Sequence, residues 1–267
     1  AGDVPEPLKP GHAIRLFTGS LLPDGADTVV MQEDTVEADN QVEITRQPSP
    51  NQHIRRRGED TMAGAPLLPA GTVLQAAHVA LLASQGLARV SVVGQLRIGI
   101  LTTGDELVPP GTPRAPEQIY NSNGPMLAAL ARGLGALPVH VLHARDTEAD
   151  LMAAFKTLLA DCDLVLSVGG VSVGERDLVK PALATLGGEL SLWKVRMKPG
   201  KPVALAQIGG KPVVSLPGNP VSAYAVFAML VSPLVRRMQG RDEIFPPVSL
   251  LPLLSLIHIS EPTRPRL

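Results

Sequence analysis

This chain is poor in several things, and each scarcity narrows what it can be. It has one cysteine, Cys162, so an internal disulfide is excluded and a reducing, cytoplasmic compartment fits. The context ADCDLVLS places that thiol at the start of a strand, where it behaves as a small hydrophobe rather than as a nucleophile. Aromatic residues make up 3% of 267, so a core must be assembled from Val, Leu, Ile and Ala, which the 45% hydrophobic share supplies. There is no charge surplus: 24 basic residues face 25 acidic ones, which gives no reason to expect a nucleic acid or an anionic membrane as partner. No continuous apolar stretch reaches the ~18 residues at which a membrane span is read. The six histidines lack metal-ligand spacing, which argues against zinc, and no Ser/His/Asp arrangement is legible.

What is present is a repeated pattern. Residues 96–107 read LRIGILTTGDEL, residues 164–177 read LVLSVGGVSVGERD, and residues 211–222 read KPVVSLPGNPVS. In each, a short apolar, partly β-branched run stops at Gly, Asp, Ser or Pro, as a buried parallel strand does at its carboxyl end. Ligands of open α/β sheets sit at those ends. The intervening segments alternate helix and strand from Leu96 to Gly240, which predicts a doubly wound α/β domain over residues 95–240. PMLAALARGLG, EADLMAAFKTLLAD, DLVKPALATLG and the long PVSAYAVFAMLVSPLVRRMQG are its helices. LPVHVLHA, WKVRM and PVALAQI add strands, the last pairing with KPVVSL across Gly209-Gly210. Residues 1–63 are different. Short alternating segments (HAIRLFTGS, ADTVVMQED, NQVEITRQ) separated by polar turns predict a mainly β domain. Residues 64–94 connect the two as strand (PLLPAGTVLQ), helix (AAHVALLASQG, with Gly86 as C-cap) and strand (ARVSVVG).

Four motifs carry chemistry. The glycines of GGVSVG, residues 169–174, let backbone N–H groups approach an oxyanion ahead of a helix N-terminus, although a tight structural turn reads the same way. The loop matches neither the dinucleotide fingerprint nor the Walker loop. Asp105 and Glu106 of TTGDEL, Asp146 of RDTEAD and Asp177 of GERD all follow strands. Together they suit Mg²⁺, which takes oxygen ligands and shares them with phosphates; Asp146 and Asp177 also suit helix caps. MKPGKP holds Lys198 and Lys201 on a stiff Pro-Gly frame with Lys194 upstream, a loop fit to gather an anion. In LPGNP, Pro217 and Pro220 fix a turn and Asn219 caps the long helix. RRRGED, residues 55–60, is either a self-neutralising loop or an arginine contact to phosphate or carboxylate.

Taken in order over residues 10–240, FTGSLLPDGADTVVMQED, QHIRRRGED, TTGDEL, YNSN, GGVSVGERD, MKPGKP and LPGNPVS resemble the molybdopterin molybdenumtransferase family, similar to the gephyrin E domain. The α/β part alone also resembles the molybdopterin adenylyltransferases; RRRGED and the β domain separate the two. The resemblance implies a three-layer α/β domain of the molybdopterin-binding type preceded by a mainly β domain. It implies Mg²⁺-dependent insertion of molybdate into adenylylated molybdopterin with release of AMP. Carried over by motif, Asp105, Glu106 and Asp177 would hold Mg²⁺, with Asp146 a weaker member, and Lys198, Lys201 and Lys194 would bind molybdate or phosphate. Gly169, Gly170 and Ser172, with Pro217 and Pro220, would line the pterin or nucleotide pocket, and Thr18, Arg55 and Asp60 would face it. The alternatives are an ATP-using adenylyltransferase and a non-enzymatic assembly scaffold, which would not need acids and lysines gathered at strand ends.

The family pattern departs at both ends. A segment with an Asp-Gly-Tyr motif is expected before Ala1, and residues 241–253 read as the start of a further β domain. Residues 254–267, with LSLIHISEPTR, resemble a translated sequencing adaptor. The intact protein is expected to be a homodimer, in contact with other enzymes of molybdenum cofactor assembly and with neither nucleic acid nor membrane.

Overall fold

The structure is a computed structural model that describes residues 4–170 and 178–246. Ser172 and Asp177, most of the glycine loop and the adaptor-like tail lie outside the described residues. The chain divides into two compact units, Ala1–Leu67 and Leu68–Leu267.

Among the described residues of the first unit the strands form one hairpin. Strands β1 (Thr35–Ala38) and β2 (Gln41–Ile44) pair antiparallel, with Ala38 opposite Gln41. The two-residue turn Asp39-Asn40 has φ of 50° and 59°, left-handed backbone that short polar side chains tolerate and that matches the strand twist. The strand signal in ADTVVMQED therefore falls several residues early, since its end forms a 3₁₀ turn, Gln32–Asp34, that leads into β1. HAIRLFTGS forms no ladder. Its neighbours are local turns, such as Ser20 N–H to the Phe17 carbonyl at 3.0 Å, so its backbone groups are taken up nearby. Among the described residues of this unit only Pro23 is buried.

The second unit opens with α1 (Ala76–Ser84). Its start is a capping box between Gln75 and His78, and its end is the expected Gly86, at φ 76°, with Leu87 N–H reaching back to Leu82 O at 3.1 Å. The flanking runs PLLPAGTVLQ and ARVSVVG, expected as strands, form no ladder. Then comes strand β3 (Arg97–Thr103), followed by the two short parallel strands β4 (Leu107–Val108) and β5 (Ile119–Tyr120). Helix α2 (Asn123–Gly133), strand β6 (Leu137–Ala144), helix α3 (Glu148–Asp161), strand β7 (Leu164–Val168) and helix α4 (Val179–Thr185) alternate as the sequence pattern predicts. The next strand is shifted from its expected place: β8 is Glu189–Trp193, and KVRM belongs to the loop after it. The hairpin β9 (Ala204–Ile208) and β10 (Lys211–Leu216) turns at Gly209-Gly210.

The six-stranded sheet has the order β6-β3-β7-β10-β9-β8. Strands β6, β3, β7 and β10 are parallel; β9 runs against β10, and β8 against β9. The chain steps from β3 outward to β6 and then returns to the other side of β3 as β7, so the carboxyl ends of β3 and β7 form a topological switch point. Both faces are covered. Ile98, Ile100, Leu164, Leu166, Val214 and Leu216 pack under α2 and the last helix, while Leu101, Val165 and Val213 pack under α3 and α4. That is a doubly wound three-layer α/β domain.

The last helix is composite. Helix α5 (Pro220–Val226) passes through a π turn, Phe227–Val231, into α6 (Ser232–Met238). Pro233 has no N–H to offer the Met229 carbonyl, and the helix widens just ahead of it, with Ser232 N–H bonded to Phe227 O. By length and composition the run Pro220–Met238, with mean hydropathy 1.3, is able to cross a membrane, which reading continuous apolar stretches missed. Here Ala223, Val226, Phe227, Val231 and Val235 form a buried stripe against the sheet, the role of a layer helix.

Candidate functional site at the carboxyl end of the sheet

The switch point is closely built. Thr103 ends β3 nearly buried, and Gly169 follows β7 at φ 98°. A Cβ on Gly169 would lie 2.7 Å from Thr103 Oγ1 and 2.9 Å from Thr103 O, so only glycine lets these strand ends close up. Gly169 N–H donates to Leu216 O at 3.3 Å, and a Cβ on Gly218 would touch Gly169 Cα at 3.8 Å. The ends of β3, β7 and β10 thus meet in two neighbouring glycine loops, with Gly170, Pro217 and Pro220 beside them. Asn219 caps α5 as its sequence predicts, accepting from Val221 N at 3.0 Å and Ser222 N at 3.2 Å, with Pro220 at the first helical position.

The acids stand on one side of these loops. Asp105 and Glu106 follow β3, and Asp146 follows the edge strand β6, with its N–H donating to Asp105 Oδ1 at 3.1 Å. Partial burial, followed by the charges of Asp105 and Glu106, pushes the Asp146 carboxyl above the usual carboxylate range. Asp146 is not a cap: Thr147 is, its hydroxyl accepting from Asp150 N at 3.3 Å. Among the described residues no group of three His, Cys, Asp or Glu is arranged to hold a metal ion. Mg²⁺ commonly uses one or two carboxylates plus water and substrate phosphates, and Asp105 and Asp146, joined through the Asp146 N–H, are the acids available for that smaller demand.

The lysines stand on the other side. The loop between β8 and β9 closes through Lys194 N–H to Val203 O at 2.8 Å and Val195 N–H to Lys201 O at 3.1 Å. Its place follows from register: Trp193 pairs with Ala204, Ala204 with Ser215, Ser215 with Ser167, and Ser167 with Leu101. Because β9 is antiparallel, the loop before it lies at the same sheet end as the glycine loops. Lys194, Lys198 and Lys201 are exposed, and no described carboxylate lies within 4.0 Å of them. Lys194 sits at φ 63° with its ammonium 5.8 Å from the Trp193 ring centre. From β3 to β9 is three strand spacings, about 14 Å across the sheet, and the glycine loops lie between.

The other expected residues lie in the first unit. Thr18 is exposed, and Arg55 pairs with Asp60 at 3.0 Å, both largely in solvent. Arg56 N–H donates to Glu59 Oε2 at 2.8 Å, so both acids of the RRRGED run have partners within it.

Sequence reasoning left some participants unassigned. Asn121 donates from Nδ2 to Thr102 Oγ1 at 2.8 Å and accepts from Gly124 N at 3.1 Å. Asn123, 7% exposed, donates to Gly218 O at 2.7 Å, and its Oδ1 has no partner among the described residues. The motif YNSN held the signal, two carboxamides at a helix start after a strand. Ser167 and Ser215, fully buried and paired in register, bond through their hydroxyls at 2.7 Å, which apolar strand patterns do not reveal.

By its match to a family model, this doubly wound domain, with acids, glycine loops and lysines at one sheet end, belongs to the class of molybdopterin-binding α/β domains. Residues 99–237 match the family model described as "Probable molybdopterin binding domain", and residues 1–86 match "MoeA N-terminal region (domain I and II)". The chain belongs to the molybdopterin molybdenumtransferase family. It is 40% identical over 244 residues to the molybdopterin molybdenumtransferase of a Nostoc species, covering 90% of this chain and 56% of that protein. The Haemophilus influenzae protein of the same name is 40% identical over 232 residues, covering 86% of this chain and 57% of the relative. A solved structure of the molybdopterin biosynthesis moeA protein from Pyrococcus horikoshii superimposes with a TM-score of 0.75 at 28% identity, covering 91% of this chain and 60% of that one. The chain therefore spans under two thirds of the length of these relatives.

Proposed function

We propose that the intact protein is a molybdopterin molybdenumtransferase of molybdenum cofactor biosynthesis. In this reading it takes molybdate and adenylylated molybdopterin, inserts the metal at the dithiolene and releases AMP, with Mg²⁺ as cofactor. The observation that carries the reading is the order along the sheet end: acids at β3 and β6, glycine loops at β7 and β10, and lysines between β8 and β9. An elongated anion with a phosphoanhydride toward one end and an oxyanion acceptor position toward the other suits that order.

Asp105 and Asp146, with Glu106 beside them, would hold Mg²⁺, and the proton that Asp146 retains more readily than an ordinary carboxylate would leave on metal binding. When bound, Mg²⁺ would supply charge neutralisation on the phosphate oxygens. The glycine loops would let the backbone approach the phosphates, and Asn123 would hold the Gly218 loop in place. Lys198 and Lys201, with Lys194, would gather molybdate; their Pro-Gly frame reduces the ordering that binding requires. The dithiolene sulfurs belong to the substrate, so the buried Cys162 has no part in the reaction. Its presence as the chain's single thiol supports a reducing, cytoplasmic setting.

The test is calorimetric titration of AMP, then molybdate, with and without Mg²⁺, against the wild-type chain and Asp105→Ala. The expected result is AMP binding that requires Mg²⁺ and is weakened at least about tenfold in the variant. Binding of AMP that is indifferent to both Mg²⁺ and Asp105 would overturn the assignment of the acids.

A further inference from the structure

Beside the acids lies a cavity of about 220 Å³ that none of the motifs foretells. Its walls come from three places: Leu107 to Pro110 after β3, Asn121 and Pro125 at the start of α2, and Val141 to His143 on the edge strand β6. The cavity is continuous in sequence with the site. Leu107 follows Glu106 directly, and His143 lies near the end of β6, three residues before Asp146.

The lining has a definite chemistry. Leu107, Val108, Pro109, Pro110 and Val141 make a mostly apolar surface, stiffened by prolines whose φ is fixed. The wall is further held by Asn121 N–H to Val108 O at 2.8 Å and Ile119 N–H to Glu106 O at 2.8 Å. Two polar side chains interrupt it. The Asn121 carboxamide gives one amide hydrogen to Thr102 Oγ1 and keeps the second, and His143 places Nδ1 3.4 Å from the same hydroxyl, leaving Nε2 at the other ring edge. Apolar faces with a few fixed polar groups are what a flat heterocycle requires, its faces dry and its edge hydrogen-bonded. Size narrows the choice. Pockets for whole drug-sized ligands run from roughly 300 Å³ upward, so this one takes a single ring system while the rest of the ligand lies outside. Nothing in the lining is cationic at fixed charge, which disfavours phosphate or molybdate as the occupant.

The geometry points to a heterocycle-binding subsite: this cavity takes a fused, nitrogen-bearing ring of the substrate and sets its attached phosphates toward Asp105 and Asp146. The inference rests on the function proposed above. Two rings of that chemistry are at hand in that substrate, the adenine and the pterin.

The test uses the 267-residue chain, its Val141→Trp variant, and three probes: AMP, ribose 5-phosphate and 6-hydroxymethylpterin. Val141 is 45% exposed on an edge strand, where Trp is well accommodated, and the indole would fill the cavity. A thermal scan checks that the variant remains folded, and His143→Ala, at an exposed position, gives a second and smaller perturbation. Wild type should bind AMP at least about tenfold more tightly than ribose 5-phosphate, and Val141→Trp should abolish that preference without altering ribose 5-phosphate binding. Loss of 6-hydroxymethylpterin binding in its place identifies the pterin as the occupant and upholds the subsite. Folded variants that bind both heterocycles as wild type does, or a wild type that binds neither, overturn it. A wild-type AMP preference that Val141→Trp abolishes but that shows no Mg²⁺ dependence counts against the proposed function and not against the subsite.

Discussion

Strand β3 buries six consecutive residues, Ile98 to Thr103, between helical layers, whereas in the first unit β1 and β2 leave Val36, Val42 and Ile44 at 53%, 41% and 49% exposure. Both sets are β-formers, and they differ in what covers them. A strand in the middle of a six-stranded sheet has neighbours on both edges and helices on both faces, so each apolar side chain leaves water. A two-stranded ribbon has one layer, and within its own unit this one keeps its side chains largely exposed; such ribbons are marginal by themselves. Cooperative stability therefore resides in the α/β unit, and so does the organised end of the sheet.

Four changes probe that contrast, from the largest expected effect to the smallest. Phe155→Ala empties a fully buried position on the inner face of α3 and should destabilise the α/β unit by about 3–5 kcal/mol, read as the urea midpoint of the main transition. A change below about 1 kcal/mol would mean that α3 is not integral to the core. Gly99→Val tests the same layer by addition. A Cβ there meets Leu158 Cδ2 at 2.8 Å and Cys162 Sγ at 2.9 Å, so a loss of about 1–3 kcal/mol is expected. If the midpoint rises, α3 has room that the structure does not show. In the hairpin, Val42→Thr should shift the main transition by less than about 0.5 kcal/mol, and a larger effect would show that the two units share their cooperativity.

The smallest effect concerns sign. Asp146 holds its proton more tightly in the fold than in the unfolded chain, so its ionised form opposes folding. That opposition is complete above the folded pKa and disappears as pH falls to the ordinary carboxylate range. Asp146→Asn should therefore raise Tm slightly at neutral pH and leave it unchanged in strong acid. A lower Tm at neutral pH would show that the carboxylate is held by an attraction outweighing Asp105 and Glu106.

The same contrast explains what was legible in the sequence. Wherever a strand or helix is covered by neighbours, its pattern was readable: LRIGILTT, LVLSV and KPVVSL are strands because both faces are buried, and Asn219-Pro220 announces its own helix. Reading failed where alternation lacked a partner. ARVSVVG and HAIRLFTGS have the composition of strands, but composition does not supply the second strand that a ladder needs. WKVRM failed for a related reason, since the Lys194 turn that ends β8 depends on a left-handed residue that is neither Gly nor Asn. In the site, the acids, glycines and lysines are each visible as punctuation after strands. Their order across the sheet is not visible, because it depends on β9 running antiparallel. The cavity was hidden too, since its walls come from three separated segments.

The π turn at Phe227–Val231 carries a consequence for the family's history. A π turn is an α-helix that has absorbed one extra residue, leaving the flanking turns in phase. Val226 and Val235, on either side of it, both face the core, so the helix can shorten by one residue here without rotating either end. Sequence alignments of relatives should tolerate a single-residue gap between 227 and 231, and a gap elsewhere in the helix would move apolar side chains off the sheet.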